Sequence, residues 1–387
     1  MDASFFIASR LRFKGRLVVV SITVSYLVMI IALAVSSGFR NEIRQGLSDI
    51  CGDVQLTPQN ADPYDGQACV TASPSYLPQI EEIEGVDEIR PVIYRAGIVK
   101  NDDNIHGVLF KGVETEDTTA LGVSIPRRLA EIANLKPGDR MLTYFVGGKV
   151  KMRQFQVTSV YDAMLETDDR LIVYASLADL QRLNGWGGQQ VSGLEILLDP
   201  SFRNEEDMKD IAYLVGSVAY EGTRDTDESV YASSVISRYP QLFDWLGLID
   251  FNVLFILVLM TIVAGFNMIS GLLIMLFENI STIGLLKSLG MTDRSISKIF
   301  LSSSAALVLK GMCIGNVLAF VFCLVQSRTH LIGLDPENYF VSFVPVDINW
   351  GTVLAADLLS FAVIMVLLLI PCIFISRVDP ADTVRVR

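Results

Sequence analysis

Two charges interrupt stretches that otherwise carry none: Lys310 within 299–325 and Asp357 within 351–376. A lone charge in hydrocarbon is costly, so such residues face a bundle interior, pair, or mark a path for ions or protons. Counted at about 1.5 Å per residue from opposite ends of their stretches, the two fall at similar depth. A bundle-locking pair or a snorkelling lysine beside a water-filled cleft is the structural expectation, and a relay or gate is the functional alternative. The five cysteines, Cys51, Cys69, Cys313, Cys323 and Cys372, form no CxxC and show no metal-ligand spacing. Cys51 and Cys69 are the pair outside the apolar blocks, and a disulfide between them stays open. With only His106 and His330 present, a histidine-built zinc or acid–base site is not expected, and His106, in a strand-like run, reads as structural. The acidic clusters at 81–84, 102–103 and 168–169 read as solvated faces rather than cation sites. No GxxxxGK[ST], GxSxG, HExxH or well-placed GxGxxG occurs. Neither a catalytic nor a cofactor-binding nor a metal residue is predicted, and an enzyme is the least expected class.

The elements that would hold these residues are dominated by four apolar blocks. The 387 residues are 51% hydrophobic with a mean hydropathy of +0.43, and the apolar residues are blocked rather than spread. About 20 apolar residues cross a bilayer, so the uncharged run 251–277 is long enough with some tilt. The organisation predicted is a basic cytoplasmic segment 1–16, a first transmembrane helix 17–37, an external domain with stalks 38–248, and a second helix 249–277. A cytoplasmic amphipathic segment 278–298, a third helix 299–325, a loop 326–350, a fourth helix 351–376 and a cytoplasmic tail 377–387 follow. The first block is longer than a signal-peptide core and no small-x-small site ends it, so it reads as an uncleaved anchor. Residues 39–248 hold 19 Lys+Arg against 33 Asp+Glu, whereas 1–16 is basic, which sets the N-terminus inside. The net charge of −12 argues against nucleic acid as a partner.

The external domain reads as mixed α/β. Alternating apolar residues predict strands at 53–57, 86–101, 106–112, 141–146, 152–161, 171–174 and 193–198, with a hairpin turn at Gly147–Gly148. Helices are expected at 75–84, 126–133, 177–183 and 208–215. Segments 41–50 and 225–246 read as amphipathic stalks on either side. Within 278–298, Ile283, Leu286, Leu289 and Gly290 share a helical face, as a segment resting on the membrane or docking into another protein would. Gly265, Gly271, Gly311 and Gly315 are small enough for close helix approach, and Gly311-x-x-x-Gly315 is a weak dimerisation pattern.

At this point an ordered set of motifs becomes specific. FFIASRL at 5–11, SSGF at 36–39, GVLFKGVE at 107–114, IPRRLAEIANLKPGD at 125–139, NMISGLLIMLFENISTIGLLKSLG at 267–290, LDPENYF at 334–340 followed by Val344–Pro345, and DPADTVR at 379–385 lie in that order along nearly the whole chain. Together with the one-plus-three span order they resemble the permease subunits of the lipoprotein-releasing ABC transporter, within the wider superfamily of macrolide-export and cell-division permeases. The resemblance implies an α-helical membrane protein of the bacterial inner membrane, with four transmembrane helices and a large mixed α/β periplasmic domain between the first two. It implies a permease subunit without its own ATPase activity, dimerising with a second copy or a paralogue and working with a cytoplasmic ABC ATPase dimer that holds ATP and Mg. The substrate would be a lipoprotein taken from the outer leaflet and passed to a periplasmic carrier.

Residue by residue, the resemblance makes Glu278, Ile283, Leu286, Lys287, Leu289 and Gly290 part of a coupling helix on the ATPase. It makes Phe39, Met260, Phe266 and Met268 candidates for the lipoprotein cleft, lined by segments 39–50 and 231–246. The chain departs from the family at Asn279, Ile280, Ser281 and Thr282, where a charged run is usual, and at Ile373 and Phe374, where arginines are usual. The hairpin region 144–155, which recruits the carrier in a relative, is short here. Rival readings are a permease of the same architecture exporting peptides or drugs or acting in envelope signalling, and a non-transporting membrane scaffold.

Overall fold

The computed structural model describes residues 16–59, 62, 64–101, 104–115, 119–145, 150–163, 171–224, 229–335, 339 and 341–376. The basic segment 1–15, the acidic pairs at 102–103 and 168–169, the glycine pair at 147–148, part of LDPENYF and the tail 377–387 lie outside the described residues. The chain divides into two compact units: Met1–Arg40, Leu246–Ile332 and Val344–Arg387 form the first, and Asn41–Trp245 with Gly333–Phe343 form the second.

In the first unit, four helices are long and apolar enough to cross a membrane. Helix α1, Arg16–Cys51, contributes its residues up to Arg40 here and the rest to the second unit. The protein is an α-helical membrane protein with one span before and three after its α/β domain. Around α1 the apolar core gathers Ile22, Tyr26 and Met29 with Met268, Leu272, Phe300, Val308, Ile364 and Leu368.

The second unit is built on a nine-stranded sheet. Its strands in chain order are β1 (Val54–Pro58), β3 (Val86–Asn101), β4 (Asn104–Val113), β5 (Gly122–Pro126), β6 (Arg140–Phe145), β7 (Lys151–Tyr161), β8 (Ile172–Ser176), β10 (Gly193–Leu198) and β11 (Val230–Ser234). Two-residue strands β2 (Val70–Thr71) and β9 (Gln190–Val191) pair separately. The spatial order is β11-β1-β10-β3-β4-β8-β5-β7-β6, and β6 also pairs back to β3, which closes six of the strands into a barrel. Inside it Phe110, Phe145 and Phe155 pack with centroids 4.9 to 6.0 Å apart. Gly97 makes room for them, since a Cβ there would come within 3.1 Å of the Phe145 ring. Helices α2 (Leu77–Glu81), α3 (Arg127–Ile132), α4 (Leu177–Asn184) and α5 (Glu205–Thr223) join the strands.

Three expectations need correction. Helix α5 starts earlier and ends two turns later than 208–215, because Asn204 caps Asp207 N at 2.8 Å and three acidic residues favour its first turn. Segment 225–246 is not one stalk. Val230–Ser234 pairs with β1 as edge strand β11, a single turn α6 (Val235–Arg238) follows, and α7 (Pro240–Glu278) begins at a proline whose ring keeps Tyr239 out of helical geometry. The coupling helix expected within 278–298 is confined to nine residues, α8 (Ile280–Ser288), followed by a turn. Residues from 293 onward already belong to α9, Asp293–Thr329. Beyond α10 (Trp350–Leu367), a break precedes α11 (Leu369–Ser376), where Pro371 cannot donate a backbone hydrogen bond.

Candidate functional site

The turn that ends α8 is fully specified by its sequence. Gly290 takes φ of +86°, the left-handed conformation that glycine adopts freely. Its N–H donates to Lys287 O at 2.9 Å and Met291 N–H to Leu286 O at 3.0 Å, the paired bonds of a Schellman motif. Thr292 then caps α9, and Lys287 Nζ reaches Asp293 Oδ1 at 2.9 Å, tying the end of α8 to the start of α9. Ile283 is buried among Ile296 and Phe300, and Leu286 is half-buried. Leu289 and Gly290 do not share that face. The helix stops at Ser288, which leaves Leu289 74% exposed. Leu285, 57% exposed, with Glu278, Ile280, Ser281 and Ser288, completes an outward surface of apolar and hydroxyl side chains with one carboxylate.

Phe39, Met260, Phe266 and Met268 are not brought to one surface. Met268 is fully buried in the core, Phe39 is buried, Met260 is half-buried, and Phe266 is 66% exposed. A uniformly apolar helix gives no sequence signal for which face packs, and here α7 turns Phe251, Leu254, Phe255, Val258, Ile262 and Phe266 outward as one stripe.

The SSGF segment and the loop carrying Val344–Pro345, far apart in sequence, meet. Gly38 lies so close to Pro345 that a Cβ would come 2.4 Å from its carbonyl oxygen. Ser37 Oγ donates to Asp347 Oδ2 at 3.3 Å, and Asp347 N–H donates to Ala34 O at 2.9 Å. On the neighbouring face of α1, Ser36 Oγ donates to Asp250 Oδ1 at 2.7 Å and Arg40 pairs with the same carboxylate. Asp250 and Asp347 were missed from sequence; the signal was two carboxylates at the outer edges of apolar runs facing an Arg and two serines.

Lys310 and Asp357 do not pair. Lys310 is exposed and makes no ion pair among the described residues, while Asp357, only 6% exposed, accepts from Asn316 Nδ2 at 2.6 Å. Counting rise along a helix gives depth but not azimuth, and it is Asn316 of α9, not Lys310, that reaches the Asp357 carboxylate. The glycines serve packing within the chain. A Cβ at Gly271, Gly311 or Gly315 would strike Val18, Ile22 or Thr23 of α1, and one at Gly265 would strike Leu367. Cys51 and Cys69 do not form a disulfide with each other. Cys51 is buried with its thiol donating to Leu47 O at 3.2 Å, and Cys69 accepts from Gln190 Nε2 at 3.3 Å. No group of metal-ligating side chains occurs among the described residues.

Within the second unit, the last turn of α1 is seized by buried charge. Lys111 spends its three donors on Asp49 O at 3.0 Å, Ile50 O at 2.9 Å and Glu195 at 2.9 Å. Tyr94 donates to Glu195 and accepts from Gln55 at 2.7 Å. Burial pushes the Glu195 carboxyl up, against the opposing pull of Lys111, and pushes the Tyr94 phenol well up. Beside it Asp53 accepts from Leu198 N at 2.9 Å and meets Arg203 Nε at 3.1 Å. A cleft of about 570 Å³ opens here, lined by Asp49, Glu88, Arg90, Glu114 and Tyr174. Every donor of Lys111 is satisfied, so the cluster clamps a helix end; no nucleophile and base stand in register.

Residues 254–380 match the FtsX-like permease C-terminal family. The chain is 22% identical over 399 residues to "Lipoprotein-releasing system transmembrane protein LolC" of Xylella fastidiosa, covering 95% of this chain and 92% of the relative. It is 23% identical over 400 residues to "Lipoprotein-releasing system transmembrane protein LolE" of Haemophilus influenzae, covering 94% and 92%. Among solved structures, the periplasmic region of MacB from Actinobacillus actinomycetemcomitans aligns with a TM-score of 0.31 at 13% identity, over 49% of this chain and 91% of that one. Along nearly its whole length the chain resembles the permease subunits of lipoprotein-releasing systems, with an FtsX-like permease C-terminal region at 254–380.

Proposed function

We propose that this protein is the permease subunit of an ABC transporter that draws lipoproteins from the outer leaflet of the bacterial inner membrane, with its α/β domain in the periplasm. It pairs with a second copy or a paralogue and is driven by a separate cytoplasmic ATPase dimer that binds ATP and Mg. In a chain similar throughout to lipoprotein-releasing permeases, the observation that carries the proposal is α8. This short helix lies between two spans, is sealed at its end by Gly290 and fixed to α9 through Lys287–Asp293, and presents Leu285 and Leu289 outward. A stiff, apolar-faced piece of this kind passes a push from a docked motor into α7 and α9 without absorbing it. Glu278 supplies one charge to orient the contact. Helices α1 and α7, each contributing to both units, would carry the motion outward, and Ser36, Arg40 and Asp250 join them. Passage of the lipoprotein to a periplasmic carrier completes the reading.

The test is co-purification of the tagged full-length protein in nanodiscs with its genomic-neighbour ATPase. A stable assembly holding two permease chains and two ATPase chains, with hydrolysis responding to acylated lipoprotein, supports the proposal. Leu285→Glu with Leu289→Glu is expected to cut ATPase recovery at least about tenfold, the factor for loss of about 1.4 kcal/mol of contact. A second reading, a non-transporting scaffold, is favoured by the scarcity of charge on α8, where Ile280, Ser281, Leu285 and Ser288 are the exposed residues. Recovery of the chain without any ATPase, even after crosslinking in native membrane, would overturn the transporter in favour of that scaffold.

A further inference from the structure

Asp357 sits seven residues into α10, roughly 10 Å along the helix axis from Trp350, inside the apolar run. Its carboxyl is buried, and one contact is made: Asn316 Nδ2 on α9 donates to Oδ2 at 2.6 Å. The other oxygen, Oδ1, is buried without a hydrogen-bond partner, and so is Asn316 Oδ1. These two orphans are the sister atoms of the two that bond. An ionised carboxylate is acceptor-only, and so is an amide oxygen, so neither can satisfy the other. An unpaired acceptor in hydrocarbon is expensive, and an unpaired charge there more so.

One added atom resolves both. A proton on Asp357 Oδ1 would make that atom a donor, and Asn316 Oδ1, the other orphan of the same pair, is an acceptor that it would satisfy in a cyclic acid–amide pair. Among the described residues no other donor reaches Asp357 Oδ1. Ser360 Oγ lies 3.0 Å from the Tyr26 hydroxyl and 3.1 Å from the Asp357 backbone oxygen, so these two hydroxyls satisfy each other and the helix backbone. Tyr26 is the titratable group facing this place from α1, and it is buried and engaged with Ser360. Lys310, the cation of α9 nearest to Asn316 in sequence, is exposed and makes no ion pair among the described residues.

We propose that Asp357 and Asn316 form a proton-binding site within the membrane span, holding Asp357 as the neutral acid and clasping α9 to α10. The clasp makes the last two long spans one rigid hairpin, so that displacement entering at α8 moves them together. Should the helices part, Asp357 would lose its amide partner in an apolar setting, so the pair resists separation.

The test uses full-length protein in nanodiscs with ¹³C-carboxyl aspartate and infrared spectroscopy. An isotope-sensitive carbonyl stretch of a protonated carboxyl group is expected, constant from about pH 6 to about pH 9, a range in which an ordinary aspartate near 3.9 is fully ionised. Asp357→Asn should abolish that band yet leave thermal stability unchanged, since an amide–amide pair keeps both bonds. Asn316→Leu should keep the band, shift it to the higher frequency of an unbonded carbonyl, and lower stability. The Asn316→Leu measurement stands even where Asp357→Asn fails to fold. Absence of any pH-stable protonated band in the unmodified protein would overturn the proposal, as would a band unaltered by Asn316→Leu. A sodium-dependent loss of the band would replace the proton with a cation.

Discussion

Helices α1 and α7 are near twins in sequence terms, 36 and 39 residues long with similarly apolar cores. Their surroundings differ sharply. Of the most apolar window of α1, 39% is buried within the chain, against 6% for α7. Helix α1 is gripped along its length, by Gly271, Gly311 and Gly315 in the first unit and by Lys111 at its last turn in the second. Helix α7 buries Ala264, Met268 and Leu272 on one side and leaves a stripe from Phe251 to Phe266 to whatever surrounds it. The fate of an apolar helix is therefore written in its neighbours, in their small residues and hydroxyls, and not in its own hydropathy.

The largest effect that could break this contrast lies at the clamp. Lys111→Met would leave Glu195 buried without its cation and two carbonyls of α1 uncapped, at a cost of about 3–5 kcal/mol. Denaturant unfolding of the full-length protein checks it, and Lys111→Met with Glu195→Met should recover most of the loss. If the single variant is neutral, α1 is not held by charge at all. Smaller, by about 1–3 kcal/mol, is overpacking at Gly315→Ala, where a Cβ would meet the backbone oxygen of Thr23 at 2.8 Å. Gly265→Ala meets only the flexible end of the Leu367 side chain, and should cost less. Equal losses at the two glycines, read by thermal unfolding, would erase the distinction between the helices.

On α7 the expected change is in assembly rather than stability. Phe255→Ala and Phe266→Ala should leave unfolding within about 0.5 kcal/mol, as for substitutions away from packed features. Val258→Cys in a background without the native cysteines should crosslink between two permease chains, if the stripe meets a second subunit. A marked loss of stability would instead mean that the stripe packs within one chain.

Much of this was legible in sequence. The four spans stood out because charge is absent from long runs, and β3 and β4 because their apolar, β-branched-rich stretches at 86–101 and 106–112 are separated by a polar turn. What was not legible depended on azimuth or on distant partners. Lys310 and Asp357 were matched by depth, whereas Asn316, an uncharged residue among apolar ones, is the true neighbour. Segment 225–246 carried a helical period, but Val230–Ser234 gains five paired positions against β1, and tertiary pairing overrode the local pattern. Lys111 and Glu195 lie 84 residues apart and signalled nothing separately.

The finest distinction between α1 and α7 is their response to alkali. Burial, and then the nearby Glu195, push the Tyr174 phenol up to about 12 from an ordinary value near 10. The folded state thus keeps a proton that the unfolded chain releases, so the stabilisation is complete below about pH 10 and is lost as pH rises toward 12. Tyr94 and Tyr161, also raised by burial, act in the same direction. Tyr174 shares its cleft with Asp49, at the C-terminal end of α1, whereas α7 carries no tyrosine. Amide exchange in 41–51 should therefore accelerate above about pH 10 beyond its chemical rate, and exchange in 247–278 should not. Tyr174→Phe removes one of three contributing phenols, so it should soften the rise in 41–51 without abolishing it. An unchanged rise would place alkaline sensitivity elsewhere than in this cleft and leave the grip on α1 to Lys111 alone.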